Sequence, residues 1–353
     1  MQKKICGIQQ IGIAYKDIQA SWKWYRKYFG MNVPVFEDVA EASLMSQYTG
    51  NQIHKRYAIL AMNMQGGAGF ELWQFKDRVP SDLSKPIKIG DLGIQIIKIK
   101  TRDIHQTYQF YQKESLNLKS EICKSISGKL HFYLEDPFGN WFEIIESSNW
   151  FCKEKALTGG VKGLTIGVSD IEKSLKLYRD ILGYDHLIAD ETSNEFSDLN
   201  GFNDGKTSLR RVLLKHSEIR SGGFSKLLGS TEIELIERLD QRGEKIYKDR
   251  FWGDTGFIHV CFDMIGMSYL KEECAKAGFN FTVDSQNSFD MGEAAGRFSY
   301  IEDPDGTLIE FVETHKVPII KKLGWFLDMK KRNPDKNLPD WMVRMLGLTK
   351  VRD

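Results

Sequence analysis

The stretch HFYLEDPFGNWFEIIE, residues 131–146, returns as FSYIEDPDGTLIEFVE, residues 298–313. Each copy holds two runs rich in β-branched and aromatic residues around an Asp-Pro-x-Gly turn, which predicts strand, tight turn and strand, with a Glu inside the second strand. The likeness extends upstream, where GDLGIQIIKI (90–99) matches GDTGFIHVCF (253–262), so a whole unit of about sixty residues occurs twice.

A second pair of units precedes these. DIQASWKWYRKYFG (17–30) recurs as DIEKSLKLYRDILG (170–183), each behind a strand-like run, IQQIGIAY and VKGLTIGV. The Asp suits a helix N-cap, and Trp22, Tyr25 and Phe29, like Leu175, Tyr178 and Leu182, fall at three- and four-residue steps on one face. Gly30 and Gly183 suit a left-handed C-cap. The chain therefore reads as four βαβββ units, near 6–76, 88–147, 160–238 and 252–314, an α+β architecture. SSNWFCKEKALTGG joins an N-terminal pair (1–150) to a C-terminal pair (151–315).

Bulk composition narrows the function classes. The 353 residues are 41% hydrophobic with a net charge of +1, without the basic footprint of a nucleic-acid binder. No apolar run reaches the ~20 residues of a membrane helix, and MQKKICGIQQIGIAYKD lacks a signal-peptide core, so a cytoplasmic protein is expected. Five scattered cysteines without a CxxC pair read as buried thiols.

The four units and their DPxG turns resemble the vicinal oxygen chelate superfamily, which includes glyoxalases, bleomycin-resistance proteins and extradiol dioxygenases. The resemblance implies that units pair into two curved mixed-sheet half-barrels, each around a cleft that can hold a divalent metal. It places ligands in the middle of the first and last strand of each unit: Gln10 and Glu71 in unit 1, Ile96 and Glu143 in unit 2, Gly163 and Glu234 in unit 3, His259 and Glu310 in unit 4. Ile96 and Gly163 offer no side-chain ligand. Pairing 1 with 4 and 2 with 3 unites Gln10, Glu71, His259 and Glu310. Sequential pairing gives Gln10, Glu71 and Glu143 in one cleft and Glu234, His259 and Glu310 in the other.

That four-donor set suits Zn, Ni, Co, Mn or Fe. By resemblance to lactoylglutathione lyase, Glu310 is the base that moves a proton beside a metal-bound carbonyl, and Glu71 is a ligand or second proton carrier. Positions where that lyase carries glutathione-binding Arg and Asn are Ala14 and Phe75, so the implied substrate is a less polar small-molecule carbonyl or aromatic compound. An extradiol-type or hydroxyphenylpyruvate-type dioxygenase is the alternative enzyme, although Gly163 stands where its extra His would be. A metal-free small-molecule-binding protein is the alternative from another class.

Plainer roles compete at each position. A last-strand Glu occurs in all four units, His259 has apolar neighbours, Gln9 stands beside Gln10, and His131, before the DPFG turn and within reach of a second cleft, has Phe298 as its counterpart in unit 4 and reads as a surface or core residue. Polar insertions near 37–56 and 189–211 read as lids or surface loops, and 285–298 is expected at the rim of the metal cleft. The tail, 316–353, carries ten Lys/Arg against four Asp and is read as a basic amphipathic helical segment. Its Ile319, Ile320, Leu323, Trp325, Phe326, Trp341, Met342 and Met345 are expected to pack on a sheet face or on a second subunit in a homodimer.

Overall fold

The computed structural model describes residues 3–202, 207–286, 289–291, 294–320 and 325–352. Module 1 runs β1 (Lys4–Ala14), α1 (Ile18–Phe29), β2 (Val33–Glu41), a 3-10 turn (Ser43–Tyr48), β3 (Lys55–Met62) and β4 (Gly69–Phe75). Module 2 runs β5 (Gly93–Thr101), α2 (Ile104–Lys113), the two-residue β6 (Asn117–Leu118) and β7 (Cys123–Lys124), β8 (Leu130–Glu135) and β9 (Trp141–Glu146). Module 3 holds β10 (Thr158–Val168), α3 (Ile171–Tyr178), β11 (His186–Ser193), β12 (Leu209–Lys215), the short α4 (Ser225–Leu228) and β13 (Glu232–Arg238). Module 4 holds β14 (Gly256–Ile265), α5 (Met267–Lys276), β15 (Val283–Asp284), β16 (Phe289–Met291), β17 (Ala294–Glu302) and β18 (Leu308–Ile320).

The helices begin where the sequence caps them. Asp17 accepts from the backbone N–H groups of Gln19 and Ala20, and Asp170 from that of Lys173. Gly30 closes α1 at φ 62°, a left-handed conformation that glycine adopts without a Cβ penalty. In the second copy the regular helix stops at Tyr178, and one further turn carries Ile181 and Leu182 into the core before Gly183.

Two sheets form, and each combines modules far apart in sequence. The first has the order β15-β17-β18-β14-β1-β4-β3-β2, so modules 1 and 4 meet where β1 and β14 pair antiparallel. The second has the order β11-β12-β13-β10-β5-β9-β8-β6 and joins modules 2 and 3 through β10 and β5. Pairing is thus 1 with 4 and 2 with 3.

Strand alternation gives each sheet a core face and a cleft face. Ile11, Ile13, Phe70 and Leu72 of the first sheet and Ile97, Ile99, Phe142 and Leu164 of the second share one continuous core with the apolar faces of α1 and α3. Two related bonds tie the sheets together. Tyr25 of α1 donates to Asp136 in the DPFG turn, and Tyr178 of α3 donates to Asp303 in the DPDG turn at 2.9 Å. The repeated Tyr and the repeated turn Asp are therefore partners across the two sheets.

The tail is only partly helical. β18 runs on to Ile320, β19 (Trp325–Asp328) pairs back on it, and α6 (Asp340–Arg344) follows. Leu338 and Val343 are buried with Leu227, Leu228, Met62 and Met64, and Met342 packs beside them, whereas Trp341 is 58% exposed instead of packed. The side chains of Ile319, Ile320, Leu323 and Trp325, and most of 285–294, lie outside the described residues. All five cysteines are free thiols; Cys6, Cys261 and Cys274 are buried, while Cys123 and Cys152 are half-buried. Among the described residues no helix is long and apolar enough to cross a membrane.

Candidate metal centre

Four strands bring the donors together. β1 and β4 lie parallel with Gly12 opposite Glu71, β14 and β18 lie parallel with Cys261 opposite Glu310, and Gly12 faces His259 across the joint between β1 and β14. A register shift between Ile8 and Gln10 makes Gln9 the extra residue of a β-bulge, which settles which amide turns inward. Gln10 is buried with its Nε2 3.2 Å from Glu71 Oε2 and 3.5 Å from Glu310 Oε2. His259 Nε2 lies 3.2 Å from those same two oxygens. One ligand atom each from Glu71, His259 and Glu310 fall within 4.8 Å of one another.

These separations suit a shared cation. Two donors ~2.1–2.3 Å from one ion at right angles stand about 3.0–3.3 Å apart. The hydrogen bonding points the same way, because both ring nitrogens of His259 and Oε1 of Gln10 are buried without a hydrogen-bond partner. The carboxylate oxygens stand 3.2 Å from Nε2 without a hydrogen bond to it, a spacing that donors around one cation share. The Gln10 amide presents its nitrogen to two carboxylates, and turning it over presents Oε1 instead. Burial disfavours a charged His259, but Glu310 and Glu71 override it and raise the imidazole to about 9, which shows how strongly this spot attracts positive charge.

Gly12 makes room for the histidine. A Cβ built there would stand 2.3 Å from His259 Cε1 and 2.6 Å from Nδ1, so the ring lies flat across the glycine. Gly12→Ala should fold, since Gly12 has no left-handed φ, but it should push the imidazole aside and weaken divalent-metal binding by about tenfold or more. Calorimetric titration of Mn²⁺ into chelator-stripped protein checks this, and unchanged affinity would deny His259 its place.

An aromatic wall surrounds the centre. Ala14, Trp73, Phe75, Trp252 and Tyr300 form a buried cluster with Phe298 and Tyr48 packed against it, and the Tyr300 ring stands edge-on to His259 with centroids 5.5 Å apart. The module 1 insertion crosses to module 4 here. Met45 is buried in the cluster, the Tyr48 hydroxyl donates to Glu302 at 2.8 Å, and Gln47 donates to the Thr282 carbonyl at 2.7 Å.

The glyoxalase/bleomycin resistance protein/dioxygenase superfamily model matches residues 7–144 and 160–311. The chain belongs to this superfamily. No curated protein matches it. Among solved structures, a putative dioxygenase from Bacillus subtilis is similar at 15% identity and TM-score 0.58, over 88% of this chain and 86% of that one. Glyoxalase I from Zea mays is similar at 13% identity and TM-score 0.54, over 88% and 92%. At such identities the likeness is one of fold.

The second sheet offers a built-in comparison. Ile96 and Gly163 stand at its ligand positions, but Lys98, two residues beyond Ile96, reaches both last-strand carboxylates, Glu143 at 2.5 Å and Glu234 at 2.7 Å. His131 Nδ1 pairs with the other oxygen of Glu143 at 2.8 Å, and Arg211 joins Glu234 to Asp198. His131 is therefore fully buried in the second cleft, not at the surface. From the module 3 insertion, Phe196 and Leu199 are buried against Ile96 and Tyr133 in this cleft. Lys98 escaped the sequence reading, and its one signal was a lysine inside the apolar strand GIQIIKIKT.

Proposed function

We propose that this superfamily member is a divalent-metal-dependent, glyoxalase-like lyase or isomerase with one working cleft. Gln10, Glu71, His259 and Glu310 would hold the ion, and the observation that carries the reading is His259 Nε2 at 3.2 Å from both carboxylates with no hydrogen bond of its own. A bound divalent ion would supply Lewis acidity that stabilises negative charge on a substrate carbonyl oxygen. Glu310 takes the proton from the adjacent carbon, and Glu71, which keeps partial solvent access, returns or exchanges it. Trp73, Phe75 and Tyr300 exclude water and favour an apolar or aromatic substrate body. Ala14 and Phe75, both buried in that wall, offer no polar contact to a glutathione carboxylate or amide.

The donor set favours this chemistry over ring-cleaving oxygenation. A non-haem iron oxygenase site uses two imidazoles and one carboxylate, whereas this cluster offers one imidazole and two carboxylates. Elemental analysis of untagged protein tests the reading. About one ion per chain, lost in His259→Ala, is the expected result. No ion after reloading with Zn²⁺, Mn²⁺, Ni²⁺, Co²⁺ or Fe²⁺ would overturn it and leave a metal-free binding protein.

A further inference from the structure

In both clefts a nitrogen sits between the two last-strand carboxylates. In the first it is the Gln10 amide, 3.2 Å from Glu71 and 3.5 Å from Glu310; in the second it is the Lys98 ammonium, 2.5 Å from Glu143 and 2.7 Å from Glu234. An amide can turn its oxygen toward a cation, but an ammonium has three donors and no acceptor. Register puts Lys98 opposite Glu143 on β5 and β9, the place of Cys261 opposite Glu310 on β14 and β18, so the ammonium reaches the carboxylates from the strand position next to Gly163, the counterpart of Gln10. We propose that Lys98 is the resident cation of the second cleft, occupying a latent divalent-metal site whose ligands are Glu143 and Glu234 with His131 beside them.

Charge balance and enclosure support this. Glu143, Glu234 and Asp198 are answered by the Lys98 ammonium and the Arg211 guanidinium, with the His131 imidazole against Glu143, all within a buried network. Taking away the ammonium leaves a buried negative charge that a cation must answer. Phe196 and Leu199 pack with Ile96 and Tyr133 beside this network.

The inference rests on the metal reading of the first cleft only for its reference count. The test titrates Mn²⁺ into chelator-stripped full-length protein, following free Mn²⁺ by electron paramagnetic resonance. Native protein should bind one ion and His259→Ala none. Lys98→Gln, which puts a neutral amide with an acceptor oxygen in place of the ammonium, should bind two, and Lys98→Gln combined with His259→Ala should bind one, held by the second cleft alone. Lys98→Ala combined with His259→Ala should melt at a higher temperature with Mn²⁺ than without. If native protein binds none while the double variant binds one, the first-cleft reading fails and this proposal stands. If the folded double variant binds none, the proposal fails, and it fails equally if both Lys98 variants stay unfolded in millimolar Mn²⁺.

Discussion

Glu310→Gln should keep its metal and lose proton transfer. An amide oxygen can replace a carboxylate oxygen as a ligand, as Gln10 is placed to do, but it cannot accept a proton at neutral pH. Loss of a positioned base lowers turnover by ~10²–10⁴-fold. His259→Ala should instead lose both, because it removes the imidazole that stands 3.2 Å from each carboxylate. The readouts are ion content and deuterium uptake from solvent at the carbon beside the carbonyl of a compound that the native protein turns over. Full deuterium uptake by Glu310→Gln would move the base to Glu71, and Glu71→Gln would then show the loss.

The repeat carried most of the fold and the first cleft in readable form. Asp17, Asp170 and Gly30 mark helix ends through local backbone chemistry, and Glu71, Glu143, Glu234 and Glu310 are held in phase by the strand pattern. Module pairing was less legible, since the joint between β1 and β14 depends on side-chain fit between segments some 250 residues apart. The second cleft was harder still. Lys98 has no assigned role in the sequence until Glu143 and Glu234 meet it from two different modules, and His131 gains one only when the same Glu143 accepts a hydrogen bond from its Nδ1. In the tail the basic composition suggested a helix, yet β18 continues unbroken and β19 pairs with it, because an open strand edge offers hydrogen bonds that composition does not reveal.

Glu143→Ala should be the most destabilising single change in the second cleft. Glu143 is buried and joins the Lys98 ammonium to the His131 imidazole, so its removal leaves two buried cations short of a partner. Breaking one side of such a pair costs about 3–5 kcal/mol. The pH profile identifies the cause. Burial opposes charge on Glu143 and on Glu234, but Lys98 and His131 for the first, and Arg211 and Lys98 for the second, hold both below the ordinary 4.5. Their contribution is present above that value and fades as pH falls below it. Burial likewise opposes charge on His131, but Glu143 overrides it and raises the imidazole from 6.5 to about 9. That contribution is full below 6.5 and fades as pH rises through 9. His259 is raised over the same window, so urea unfolding from pH 4 to 9 is compared in a His259→Ala background: a His131-dependent decline should appear between 6.5 and 9, and this limb should vanish when Glu143→Ala is added because the imidazole has lost the charge that held its proton. An alkaline limb unchanged in the variant would show that His131 draws its proton affinity from elsewhere and that Glu143 is not the centre of the network.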